Sequence, residues 1–188
     1  MSISELIHRR RAIYPKAYLP ERPIERATLE QLLENANWAP THKLTEPWRF
    51  HVFHSPESRQ RLAAYLTEHY RRNTSPESFS EEKMRKMAEN PLRAGAVIAI
   101  VMHRDPQESV PEFEEIAAVA MAVQNMWLTC TEMGLGCYWS TPKAALEAHE
   151  FLGLSPNERC LGFFYLGWHQ TPALPGKRRS IEEKVTWH

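Results

Sequence analysis

The sequence has no excess of charge, few cysteines and no long apolar run. Lysine plus arginine number 23 and aspartate plus glutamate 23, so no overall field draws the chain to nucleic acid or to an acidic membrane, and neither partner is expected. Cys130, Cys137 and Cys160 are odd in number, lie in apolar segments and lack CxxC spacing. That excludes a disulfide framework and points to buried thiols in a reducing compartment, hence to the cytoplasm. No segment approaches the roughly 18 apolar residues of a membrane span, and the opening MSISELIHRRR lacks a signal-peptide core. The nine histidines include no HExxH and no pair at clear ligand spacing with a carboxylate, so no metal is expected. GLGCYW at 134–139 begins like a dinucleotide fingerprint, but Trp139 stands where the third glycine is needed and the stretch follows a helix. A classical dinucleotide fold is thereby excluded. Ser140 has no GxSxG surroundings, which leaves the nucleophile reading weak.

What is present is enough apolar sequence, 43% of 188 residues, for a real core in one domain over 1–188. Ser2 with Glu5 predicts a capping box opening a short helix that ends at Arg9–Arg11. Thr28 with Gln31 predicts a second capping box before Leu29, Leu32, Leu33 and Ala36, a helix stopped by Pro40. RFHVF at 49–53 reads as a strand, and Ser55–Pro56 begins a third helix. Residues 71–83 read as an exposed excursion, a candidate mobile lid, before a weak helix near Met84–Ala88. AVIAIVM at 96–102 and CLGFFYLGW at 160–168 are continuously apolar, the pattern of strands covered on both faces. A long apolar helix is expected over Glu114–Met133 with its stop at Gly134, then a short strand, CYWS, and a helix from Thr141–Pro142 to Gly153. The last twenty residues have no apolar face of their own and should lie along the domain or along a partner. The fold class is α+β, a mostly antiparallel or mixed sheet packed by helices on both sides.

Two basic knots remain, LIHRRRAIYP at 6–15 and PGKRRSIEEK at 175–184. Helix-end stabilisation accounts for one or two arginines at the first knot, three less well. Together with the proline-bracketed loop around His42 and Lys43 and the short strand YWST, they suit flavin mononucleotide. Its phosphate dianion takes bidentate arginines, and its ring takes an apolar sandwich with a few donors.

From end to end the chain resembles the nitroreductase family of FMN-dependent oxidoreductases, closest to its small single-domain members. The family's R-R-S is matched by Arg9, Arg10 and Arg11, with Arg11 in place of the serine. Its A-P-S-x-x-N-x-Q-P-W is represented by APTHKLTEPW at 39–48, its Q-N and G-L-G by Gln124–Asn125 and Gly134–Gly136, and its basic tail by GKRRSIEEKV. Trp38, Leu44 and Glu46 depart from the family's usual residues. The resemblance implies a nitroreductase-like fold in a homodimer with a domain-swapped C-terminal tail, FMN as cofactor, and NADH or NADPH as transient co-substrate. It implies that Arg9 and Arg10 with Lys177 and Arg179 hold the phosphate and ribityl chain, with Arg11 also at the cofactor in place of a serine whose hydroxyl usually helps hold the phosphate. Trp139, Ser140 and Thr141 would lie along the ring, and Trp38 and His42 would reach the flavin of the other subunit. The activity implied is ping-pong electron transfer from NAD(P)H to a small-molecule acceptor such as a nitroaromatic or quinone. The flavin carries the chemistry, so no residue is required as acid, base or nucleophile. The rival readings are a dehydrogenase or dehalogenase of one metabolite on the same fold, and a flavin-binding or interaction protein without turnover.

Overall fold

The computed structural model describes residues 1–172 and 175–188. Its α-helices are α1 (Ile3–Arg9), α2 (Arg26–Asn37), α3 (Pro56–Arg72), α4 (Glu81–Arg93), α5 (Glu112–Met133), α6 (Lys143–Leu146) and α7 (His149–Leu152). The strands are β1 (Trp48–Phe53), β2 (Ala96–His103), β3 (Leu135–Ser140) and β4 (Glu158–Trp168). They form one sheet in the order β1-β2-β4-β3, antiparallel throughout.

β2 is apolar at every turn of the pleat because both of its faces are covered. Ala96, Ile98, Ile100 and Met102 join α2 and α5 in one core, while Val97, Ala99 and Val101 join α3 and α6 in the other. This is the two-sided packing that a continuous apolar run requires. The Ser2–Glu5 capping box forms, with Ser2 N donating to Glu5 Oε2 at 2.7 Å and Glu5 N to Ser2 Oγ at 3.2 Å. Gly134 ends α5 in the left-handed region, as its lack of a Cβ favours.

Three expectations differ from the structure. α2 starts at Arg26, capped by Glu25 backbone alone, so Thr28 lies inside the helix and its capping box does not form. The segment from Thr141 to Gly153 is two four-residue helices broken at Glu147–Ala148. The stretch expected as an excursion and a weak helix contains α4, of 13 residues. Ser80 Oγ caps it at Lys83 N, and Glu82 with Lys86 at 2.5 Å braces it along the i,i+4 direction. Tyr70 pins its start, accepting Ser80 N at 2.9 Å and packing on the Phe79 ring at 5.4 Å. Met87 packs on the core and Pro91 is buried, so a narrow apolar side with charge pairs along the exposed one holds this helix on the domain.

Candidate functional site

α1 delivers the arginine segment to the C-terminal end of α5. After Arg9 the backbone turns extended, and side chains alternate across it. Arg9, Arg11 and Ile13 line a cavity of about 230 Å3 with Thr131, His169 and Thr171. Arg10 faces the other way, its guanidinium 4.7 Å from the centre of the Trp127 ring. Trp127 in turn donates its indole N–H to the Arg11 carbonyl at 3.1 Å, and Ile13 N donates to Cys137 O of β3 at 3.0 Å. Arg11 Nη1 donates to the carbonyls of His8 and Arg10, both at 2.7 Å.

The tail returns to this place. A Cβ on Gly176 would fall 2.3 Å from Arg11 Nη2, so the tail passes in direct contact with the Arg11 guanidinium. Burial first, and the charge of Arg178 second, push the Arg10 guanidinium below its ordinary value. Two segments more than 160 positions apart thus place their cations together, with Arg178 acting on Arg10. Lys177 and Arg179 are exposed, Arg179 Nε lying 3.9 Å from Glu183 Oε2. Crowded like charges raise the free energy of the folded chain unless an anion joins them. Dianionic phosphate with bidentate acceptor oxygens is the ligand this chemistry takes best.

β3 leads away from the cluster to Trp139, Ser140 and Thr141. From Cys137, whose surroundings include Arg10, to Ser140 is three residues, or about 10 Å of strand. Trp139 is seated by an irregularity of β4 that sequence reasoning missed. Val101 pairs with Cys160 and Ile100 with Gly162, so Leu161 is an extra residue opposite β2. Its carbonyl accepts the Trp139 indole N–H at 3.0 Å. Gly162, at φ 140°, leaves room for that ring, since a Cβ there would meet Trp139 Nε1 at 2.2 Å. A glycine within an apolar strand is the signal that marks such a bulge.

The loop after α2 is held in an unusual conformation. Lys43, Leu44 and Glu46 have φ of 51°, 55° and 42°, each costing about 1 kcal/mol or more for a side chain with a Cβ. Several bonds offset that cost. His42 Nδ1 lies 2.6 Å from Glu114 Oε2, Lys43 Nζ donates to Ser109 O at 2.8 Å, and Glu46 N donates to Thr41 Oγ1 at 3.2 Å. Trp38 is 78% exposed, its indole N–H donating to Glu34 Oε1 at 2.9 Å, and Leu44 is 80% exposed. Glu46 lies in a cleft with Glu30, Glu34 and Arg49, apart from the basic cluster. Glu114 and Trp127 are 13 residues apart on α5, about 20 Å along the helix. Within one chain, therefore, His42 is not brought to the arginines.

The sequence and the fold are similar to those of known proteins. The chain is 27% identical over 186 residues to the Bacillus subtilis protein named "Putative NAD(P)H nitroreductase YfhC", covering 98% of this chain and 93% of that one. A nitroreductase-like family protein from Bacillus cereus has a TM-score of 0.81 at 29% identity, covering 100% of this chain and 96% of the other. The fold also matches an FMN and NADPH-dependent nitroreductase of Sphigopyxis sp. strain HMH, with a TM-score of 0.77 at 20% identity, over 100% and 99% of the two chains. The sequence profile of the Nitroreductase family matches residues 7–168. The chain belongs to the Nitroreductase family.

Proposed function

We propose that the protein is an FMN-dependent NAD(P)H oxidoreductase that passes electrons to small acceptors such as nitroaromatics or quinones. The observation that carries this reading is the meeting of Arg9–Arg11 with Gly176–Arg178 at one end of β3, whose other end bears Trp139 and Ser140. The residues fit FMN: the cluster demands an anion, and Gly176 and Gly162 keep two close approaches open. Arg9, Arg11, Lys177 and Arg179 would hold the phosphate, with Arg10 and Arg178 adding positive field behind them. Trp139, Ser140 and Thr141 would border the ring. Bound FMN supplies hydride acceptance from the nicotinamide and two-electron delivery to the acceptor. With no dinucleotide-binding motif in the chain, both substrates use one open face in turn, which is ping-pong kinetics. The FMN and NADPH dependence of the Sphigopyxis relative supports the choice of cofactors.

The reading includes a homodimer. Phe113, Ala117, Ala120, Met121 and Gln124 form an exposed stripe on α5, Phe113 69% and Met121 40% exposed, beside the bare Trp38 and Leu44. One protomer leaves this apolar surface in water, and a second copy covers it symmetrically. The tail over 175–188, with Trp187 91% exposed, lies against the partner in the same assembly. Such an arrangement also carries Trp38 and His42 to the other protomer's flavin, which the 20 Å offset forbids within a chain. The buried free thiols suit a reducing cytoplasm. Among the described residues no helix is long and apolar enough to cross a membrane.

The test is direct. Purified protein should be yellow, release FMN on denaturation, run as a dimer in light scattering, and bleach with NADPH. Initial rates with a quinone should give parallel double-reciprocal lines. FAD in place of FMN, or no flavin after incubation with FMN, would overturn the cofactor. Intersecting lines with a demonstrated ternary complex would overturn the shared face.

A further inference from the structure

We propose that His42 is the proton donor when the acceptor is reduced, and that Glu114 is its positioning residue. This rests on the flavin oxidoreductase reading above, in which the loop of one protomer meets the flavin of the other.

The geometry is that of a carboxylate holding an imidazole by one nitrogen to aim the other. An ionised carboxylate only accepts hydrogen bonds, so at 2.6 Å the proton between Glu114 Oε2 and His42 belongs to Nδ1. That fixes the ring's orientation and leaves Nε2 as the site for a second, transferable proton. His42 keeps 57% of its side-chain surface exposed in the single protomer, so Nε2 is accessible.

The backbone beneath the ring is braced. Lys43 and Leu44, next along the chain, sit at positive φ, and the Lys43 ammonium is tied to Ser109 O. Strained backbone over-determined by its surroundings is a mark of a functional site. The brace is itself anchored in the interior. Glu115, adjacent to Glu114 and 1% exposed, pairs with Arg104 and accepts Asp105 N at 2.9 Å. Asp105 Oδ2 accepts Ser109 N at 3.0 Å, and Ser109 O holds Lys43. Adjacent carboxylates on the first turns of α5 therefore fix the imidazole and the loop that carries it.

The acceptor chemistry consumes a proton that such a group can supply faster than solvent. Converting a quinone to a hydroquinone adds two electrons and two protons. Bound FMN, once reduced, would supply a hydride equivalent, which is both electrons and one proton. The second proton comes from His42: the Nε2–H bond of the imidazolium breaks, an O–H bond forms at the quinone oxygen, and the ring regains a proton from solvent after product leaves. Reduction of the flavin by NADPH is a hydride transfer and takes no proton from this group.

The experiment separates the two half-reactions in the holoenzyme by stopped flow, with a para-quinone as the oxidant. His42→Asn keeps a donor toward Glu114 but cannot transfer a proton. Its reoxidation should slow about 100-fold, the middle of the range for general acid catalysis. Added imidazole should restore the rate, and should leave reduction by NADPH unaccelerated. In nitrogen NMR of the oxidised holoenzyme, taken at a pH high enough to leave the imidazole neutral, His42 should show the Nδ1–H tautomer, giving way to a mixture in Glu114→Gln. Wild-type reoxidation in His42→Asn, or slow reoxidation that imidazole does not restore, would overturn the assignment while leaving the flavin function intact. An Nε2–H tautomer in the wild type would overturn the role of Glu114. A protein that binds no FMN would overturn both readings together.

Discussion

Replacing Gly162 by alanine tests whether the bulge in β4 exists to seat Trp139. At φ 140° a Cβ would lie 2.2 Å from Trp139 Nε1 and 2.6 Å from the Ser140 carbonyl oxygen. The conformation alone costs an alanine about 1–3 kcal/mol. Trp139 must also move and surrender its 3.0 Å bond to Leu161 O, worth about 1 kcal/mol. The sum is about 2–4 kcal/mol, and at roughly 2–4 °C per kcal/mol for a chain of this size the unfolding midpoint should fall by about 5–15 °C. Gly134→Ala is the control. It also has positive φ, 79°, but nothing within 4 Å of the added atom, so its loss should stay near 1 kcal/mol. Urea unfolding followed by circular dichroism and tryptophan fluorescence measures both variants. FMN titration should show weaker binding for Gly162→Ala, because Trp139 and Ser140 shift with the ring. A loss for Gly162→Ala no larger than that for Gly134→Ala would refute the steric argument.

Arg9→Ala, Arg11→Ala and Arg179→Ala should each raise the FMN dissociation constant about ten-fold or more, as lost charge-assisted bonds do. Riboflavin affinity should barely change, and the Arg9→Ala with Arg179→Ala double variant should cost less than the sum; equal losses for both ligands would remove the phosphate from this cluster. Arg10→Ala should act mainly on stability, by about 1 kcal/mol, through the lost contact with Trp127. Arg104→Ala strands the buried carboxylate of Glu115 and should cost about 3–5 kcal/mol, much of it recovered by adding Glu115→Leu; a simple sum of the two losses would argue against a desolvated pair. Burial pushes the Cys160 thiol up to about 11 and holds Cys137 well above the ordinary thiol range. Cys130, Cys137 and Cys160 are all buried, so iodoacetamide at pH 8 should label none of them until the chain unfolds, by mass spectrometry.

Local pattern determined most of the fold. The apolar runs of β2 and β4, the Ser2–Glu5 box, the Ser55–Pro56 start and the glycine stop of α5 depend on neighbours in the chain, so the sequence displays them directly. The motifs around Arg9–Arg11, His42 and Lys177–Arg179 pointed to the family for the same reason, because order and spacing survive without coordinates. Thr28 shows the limit of a local signal, for its box was complete in sequence, yet tertiary packing begins α2 three residues earlier. Tertiary structure alone decided what distant residues do to one another. Alternation along an extended backbone separates Arg10 from Arg9 and Arg11, and the returning tail brings Arg178 and Gly176 against them. Leu161 became an acceptor for Trp139 only because β4 carries one residue more than β2 opposes. Glu114 met His42 across 72 positions through the docking of one loop on the first turns of α5. A sequence records which groups can bond; which of them do is set by chain reversal and strand register, and those come from burying both faces of the sheet at once.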